Sequence, residues 1–218
     1  MAIPQWLDWA QRLQSIAQTG LHYNGSPYDH LRYQDVLEIA AEMIAANGGT
    51  DVRAADDLSA LKAILLLDKG HTTPKIDVRG AVFHEGKLLL VQEKADGDRW
   101  TLPGGWADVG ESAGESVVRE IYEETGYHAR ALKLMALFDR NKHDHPPYPF
   151  HAYKAFFRCE LIRLEREPDP RNVETGNVGW FTLDEIGALP LSVARVTFSQ
   201  YARFFEHLAE PDLATDFD

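Results

Sequence analysis

Apolar positions in the first third of the chain recur at intervals of three and four residues. Trp6, Leu7, Ala10, Leu13, Ile16 and Ala17 predict a helix that stops at Thr19-Gly20. After the loop Asn24-Gly25-Ser26-Pro27, Asp29 is placed to cap a second helix with Tyr33, Val36, Leu37, Ala40, Met43 and Ile44 on one face, ended by Asn47-Gly48-Gly49. A third helix is expected over 56–67, then a linker through Pro74. From Lys75 the pattern changes. Val78 to Phe83 and Lys87 to Glu93 are apolar stretches split by Glu85-Gly86, a hairpin signal. Trp100 to Pro103 leads into a Gly-Gly turn and a helix over 112–125. Strands are expected at 132–138, 153–161 and 180–182, and helices at 184–188 and 197–208. Strands and helices mixed without strict alternation predict an α/β (α+β) fold, a sandwich preceded by a small helical domain.

The helix over 112–125 carries the chemistry. At about 100° per residue, Ser116, Arg119, Glu120, Glu123 and Glu124 share one arc, and Val117, Val118, Ile121 and Tyr122 share the other. Between Asp108 and Glu124 stand six acids and one base, a local charge of -5. A solvated helix face usually mixes signs, with lysine four residues after glutamate. Here Glu120 and Glu124 are a like-charge pair at that spacing, and Glu123 and Glu124 lie at the unfavourable end of the helix dipole. A bound divalent cation would reverse both penalties. The residues alone leave both readings open, a solvated face and a cation site. The turn Leu102-Pro103-Gly104-Gly105-Trp106 favours the cation, because paired glycines let backbone carbonyls approach a ligand and hard cations take carboxylate and carbonyl oxygens.

Composition narrows the partners. The 218 residues carry a formal net charge of -12, so an anionic substrate must be met by a local cation or a metal. Residues 1–70 hold nine acids and five bases, a net of -4, which argues against DNA binding. The lone Cys159 sits in an apolar run and excludes an internal disulfide, which fits a cytoplasmic setting. No apolar run reaches the length of a membrane span, and no secretory signal is visible at the N-terminus.

The run Gly105, five residues, Glu111, seven residues, then Arg119-Glu120-Ile121-Tyr122-Glu123-Glu124-Thr125-Gly126-Tyr127 resembles the Nudix box over its full 23 residues. It departs at the last position, where Tyr127 replaces a small aliphatic residue, a change expected to alter packing after the helix. The segments 13–21 and 139–143, with Pro146-Pro147, are similar to a Nudix subgroup associated with CDP-choline and ADP-ribose pyrophosphatases. The resemblance implies a Nudix α/β/α sandwich over 75–218 behind a helical domain over 1–70 that serves dimerisation or substrate capping. It implies Mg2+, or Mn2+, held by Glu120, Glu124, Glu123 and the Gly104 carbonyl. Arg119 would orient the glutamates, while Gly105, Glu111 and Gly126 shape the motif.

The expected reaction is hydrolysis of the pyrophosphate bond of a nucleoside diphosphate linked to X, giving a nucleoside monophosphate and phospho-X. CDP-choline and ADP-ribose are the first candidates. The base is a box glutamate or Glu174 on a late loop, where an ordinary surface glutamate is the alternative. Arg79, Lys94, Arg140 and Lys142 are candidate phosphate contacts, and Phe138, Tyr148 and Phe150 candidate stacking surfaces. His143, His145 and His151 lack the spacing of a structural zinc site. Two other functions compete: a nucleoside triphosphate sanitising pyrophosphohydrolase, and a non-enzymatic ligand sensor. The helical leader with Trp6, Trp9, Leu13 and Ile16 suits packing on a second subunit, so a homodimer is expected.

Overall fold

In the computed structural model, residues 3–23, 26–47, 63, 65–66, 70–169 and 172–218 are described, and they fall into two compact units. Most of the helix expected over 56–67 lies outside the described residues.

One unit holds helices α1 (Gln5–Tyr23) and α2 (Pro27–Asn47), with the segment Pro146–His151. The two helices bury Ala10 and Ala17 against Leu37, Ala41 and Ile44. Helix α1 does not stop at Thr19-Gly20 as expected but continues to Tyr23. Gly20 is there for packing: a side chain on it would meet the Tyr33 ring at 2.4 Å. Asp29 lies in the first turn of α2, which begins two residues earlier at Pro27, a residue suited to a helix start. No helix among the described residues is long and apolar enough to cross a membrane.

The other unit is a sheet with helices on both faces. Strands β1 (Lys75–His84) and β2 (Lys87–Glu93) form the expected hairpin, whose Glu85 and Gly86 both take positive φ, 48° and 73°. The next elements are β3 (Arg99–Thr101), α3 (Ala113–Thr125), β4 (Ala129–Asp139), β5 (Ala152–Leu161), β6 (Thr175–Phe181), α4 (Leu183–Gly187), α5 (Phe198–Ala209) and β7 (Asp216–Phe217). The sheet runs β3-β2-β1-β5-β4-β7, with β6 also paired antiparallel to β2. Alternation along β2 sends Leu88 and Leu90 to one core, with Ile186 of α4 and Tyr201 and Phe204 of α5. Leu89 goes to the other, with Val117 and Ile121 of α3. Both faces are therefore covered, which is why these strands read as near-continuous apolar runs.

Candidate active site

The local sequence of α3 explains where its acids sit. Ser112 accepts a hydrogen bond from the Glu115 amide while the Glu115 carboxylate accepts from the Ser112 amide at 2.8 Å, a capping box that fixes the helix start. At the other end the Gly126 amide donates to the Tyr122 carbonyl, and the carbonyls of Glu124 and Thr125 accept from Asn172, Thr175 and Arg166. Tyr127, the departure from the motif, packs edge-on against Trp180 and accepts its indole N–H at 3.3 Å.

The polar arc is organised by Arg119. Its Nε donates to both carboxylate oxygens of Glu111 at 3.0 Å, and its Nη1 donates to Glu120 at 2.9 Å and Glu123 at 3.0 Å. Asp108 closes the cluster at 3.2 Å. Glu111 also accepts from Ser116 at 2.9 Å, so it ties the loop to the helix. The Ser116 bond, then Arg119, hold the Glu111 carboxyl below its ordinary value.

Glu124 is the unusual member. It is only 6 % exposed, and its carboxylate accepts from the Gly104 amide at 2.8 Å. Burial pushes its carboxyl up to about 8, although Arg79 and the Gly104 amide pull the other way. Burial likewise raises Glu120, against the pull of Arg119. Gly104 has φ +141°, and a Cβ on it would lie 2.0 Å from the Val78 carbonyl oxygen, so glycine is required there. The carbonyls of Pro103 and Gly105 are taken by the amides of Gly80 and Val78, whereas among the described residues no hydrogen bond is made to the Gly104 carbonyl. Among the described residues no three acidic, imidazole or thiol side chains already converge on one point. The glutamate oxygens are turned instead to Arg119 and to the Gly104 amide.

The sequence candidates separate into two groups. Arg79, Lys94, Gly104, Gly105, Glu120, Glu124 and Glu174 line one cleft of about 560 Å³. A second cleft of about 350 Å³ is lined by Arg119, Glu120, Glu123, Glu124 and Glu174. Glu174 reaches both because Asn172 accepts from the Glu174 and Thr175 amides at 3.1 Å and so fixes the turn. Arg79 is buried, donating to Asp77 at 2.8 Å and to the Leu102 carbonyl at 3.2 Å. Burial alone would raise Asp77, yet Arg79 and Lys154 hold it at about 2.

Arg140 and Lys142, expected at the pocket, line neither cleft. Arg140 is turned inward and buried, and Lys142 points to solvent. Phe138 is a core residue, and Tyr148 and Phe150 belong to the helical unit. His145 is held neutral by burial, its pKa pushed down to about 3, and bonds the Val193 carbonyl at 2.8 Å. Sequence reasoning missed several cleft residues, among them Asp77, Glu93, Trp106 and Arg195. Arg195 stands in a turn with no periodic pattern, and its place in the cleft emerges only when the turn docks on β3.

Helix α3, with Glu124 buried under a glycine turn beside the buried Arg79 and above a two-faced sheet, has the layout of a hydrolase site. Comparisons with known proteins agree. Residues 74–204 match the NUDIX domain, and residues 4–58 match the family described as UDP-X-like, N-terminal oligomerisation domain. A protein of Bacillus subtilis (strain 168) named "Putative ADP-ribose pyrophosphatase YjhB" is 42% identical over 214 residues, covering 98% of this chain and 97% of its own length. The crystal structure of a UDP-X diphosphatase is similar across 100% of both chains, with a TM-score of 0.59 and 27% identity. That of an ADP-ribose pyrophosphatase from Streptococcus suis covers 67% of this chain and 100% of its own, with a TM-score of 0.59 and 38% identity. The chain belongs to the Nudix family and is a Nudix pyrophosphohydrolase.

Proposed function

We propose that the protein cleaves the pyrophosphate bond of a nucleoside diphosphate linked to X, with ADP-ribose the first substrate to test and CDP-choline the second. The observation that carries this reading is the buried Glu124 with the half-buried Glu120, beside Arg79, in a cleft large enough for a nucleotide. The relative matched over nearly the full length is named for ADP-ribose, and that match includes the helical unit. A triphosphate-sanitising role has weaker support: a Bacillus subtilis relative named "Putative 8-oxo-dGTP diphosphatase" matches over only 28% of this chain. The glutamates that a non-enzymatic sensor would not need are all present.

The donor set suits a hard divalent cation, Mg2+ or Mn2+. Glu120, Glu124, Glu123 and the Gly104 carbonyl would hold it, and a cation would relieve the burial of Glu124. Gly105 leaves the room: a Cβ there would stand 3.0 Å from the Glu120 carboxylate. A bound metal would neutralise phosphate charge and lower the pKa of a water. The chain's own residues do the rest. Arg119 holds Glu120 and Glu123 in register. Lys94, beside the Val173 carbonyl, meets phosphate at the rim. Glu174, carried on a braced turn into both clefts, is the candidate to accept a proton from the attacking water. The helical unit serves as the contact of a homodimer, because Trp9, Ile16, Tyr28, Leu31 and Ile39 are exposed on α1 and α2. The single buried cysteine fits a cytoplasmic enzyme.

A panel of nucleoside diphosphate-X compounds with Mg2+ or Mn2+, scored for released nucleoside monophosphate, tests this. Turnover of ADP-ribose or CDP-choline well above that of nucleoside triphosphates is expected. Preference for a triphosphate would overturn the reading.

A further inference from the structure

Besides the box, the cleft holds a cation that the fold has set in place. We propose that Arg195 is a substrate-binding residue that grips the diphosphate of the substrate. The inference rests on the proposed function and adds a residue to it.

The argument begins with the cleft's charges. Among the described residues the cations lining it are Arg79, Lys94 and Arg195, against a larger set of acids. Arg79 is committed to Asp77 and the Leu102 carbonyl, and Lys94 donates to the Val173 carbonyl at 3.2 Å. Arg195 differs. Its Nε is buried, and among the described residues it has no hydrogen-bond partner. The nearest carboxylate oxygen, on Glu93, is 3.8 Å away, too far for a hydrogen bond. A buried donor left unmade is costly, and a guanidinium fork matches the paired oxygens of a phosphate.

The backbone of Arg195 is braced. The Trp100 amide of β3 donates to the Pro190 carbonyl at 2.9 Å, and the Trp100 carbonyl accepts from the Ser192 amide at 2.9 Å. The Arg195 and Val196 amides then donate to the Ser192 carbonyl at 2.9 and 3.0 Å, and Val196 is fully buried. The turn is therefore riveted to the strand that leads into the glycine loop. A guanidinium on such a base loses little freedom when an anion arrives.

The test compares wild type with Arg195→Met and Arg195→Lys, using the substrate that the panel selects and saturating Mg2+. Arg195→Met should raise KM about tenfold or more while kcat falls less than about threefold, the signature of lost ground-state grip. Arg195→Lys keeps the charge but not the fork and should fall between. If Arg195 only offset Glu93, the Met variant would lose thermal stability and keep its KM, and that result overturns the proposal. Should the Met variant fold poorly, an unchanged KM in Arg195→Lys overturns it instead. If no panel compound is hydrolysed, the proposed function fails by itself. Arg195 is then tested by titrating inorganic pyrophosphate with Mg2+ against the fluorescence of Trp106, which lines the same cleft. A Kd about tenfold weaker in Arg195→Met is expected, and an equal Kd overturns the proposal.

Discussion

Helices α1 and α3 break the ordinary rule of burial in opposite directions. Helix α1 leaves Trp9 and Ile16 about half exposed, at 48% and 57%, while burying the amides of Gln14 and Gln18. Helix α3 buries a carboxylate, Glu124, together with Ser116 and Thr125. An exposed indole gains from another apolar surface, and a buried carboxylate gains from a cation. Each departure leaves the isolated chain less stable than it could be, and each would be relieved by the ligand that the proposed function supplies. Under the proposed function, the helical unit would meet a second subunit and helix α3 a metal and its polyanion.

The largest effect expected from breaking this comparison is on turnover. Glu120→Gln or Glu124→Gln should lower kcat by roughly a thousandfold, since loss of a metal ligand removes charge neutralisation and water activation together. Steady-state hydrolysis of the panel substrate measures it, and a loss within about threefold would remove these residues from the site. On the other helix, Trp9→Glu combined with Ile16→Glu should weaken dimerisation by about a hundredfold or more, by placing charge in an apolar contact. Light scattering on the eluting protein should show the mass falling from twice the 24.6 kDa chain to one. An unchanged mass would place the contact elsewhere.

Smaller effects sharpen the account of α3. Gly104→Ala should cost about 2–4 kcal/mol in denaturant unfolding, because the added carbon meets the Val78 carbonyl at a φ that alanine avoids. A cost near zero would mean that the loop carrying the Glu124 amide contact is free to relax. The pH dependence has a definite sign. Glu124 has its folded pKa raised to about 8, so in EDTA its contribution to stability is greatest below its unfolded value and is lost as pH rises toward 8. The stability of wild type relative to Glu124→Gln should therefore fall by roughly 1–3 kcal/mol between pH 5 and pH 8, and Mg2+ should abolish the fall. A flat difference would contradict the burial assigned to Glu124.

What the sequence disclosed follows from how local each feature is. The α3 helix and its glycine turn were legible because the capping box, the apolar arc and the acid arc lie within 23 consecutive residues. The β1–β2 hairpin was legible because both strands are apolar runs around one turn. Strand β6 was expected only at 180–182 because its first five residues, Thr175-Gly176-Asn177-Val178-Gly179, have little strand propensity and are held by pairing with β2. The two-residue β7 leaves no pattern at all. Gly20 read as a stop because its packing partner, Tyr33, lies on another helix. Arg140 and Lys142 read as cleft residues from their charge in a loop, but direction in a loop is set by tertiary contacts. Arg195 escaped notice for the same reason, since only the docking of its turn on β3 carries it to the glutamates.

The most direct test of the claim that α3 buries its carboxylates to hold a divalent ion is calorimetric titration of Mn2+ into the intact protein and into Glu124→Gln at pH 7.5. The account predicts saturable binding to the wild type, accompanied by proton release, and at least a tenfold loss of affinity in the variant. Equal affinities in the two proteins, or no saturable binding to the wild type, would contradict it.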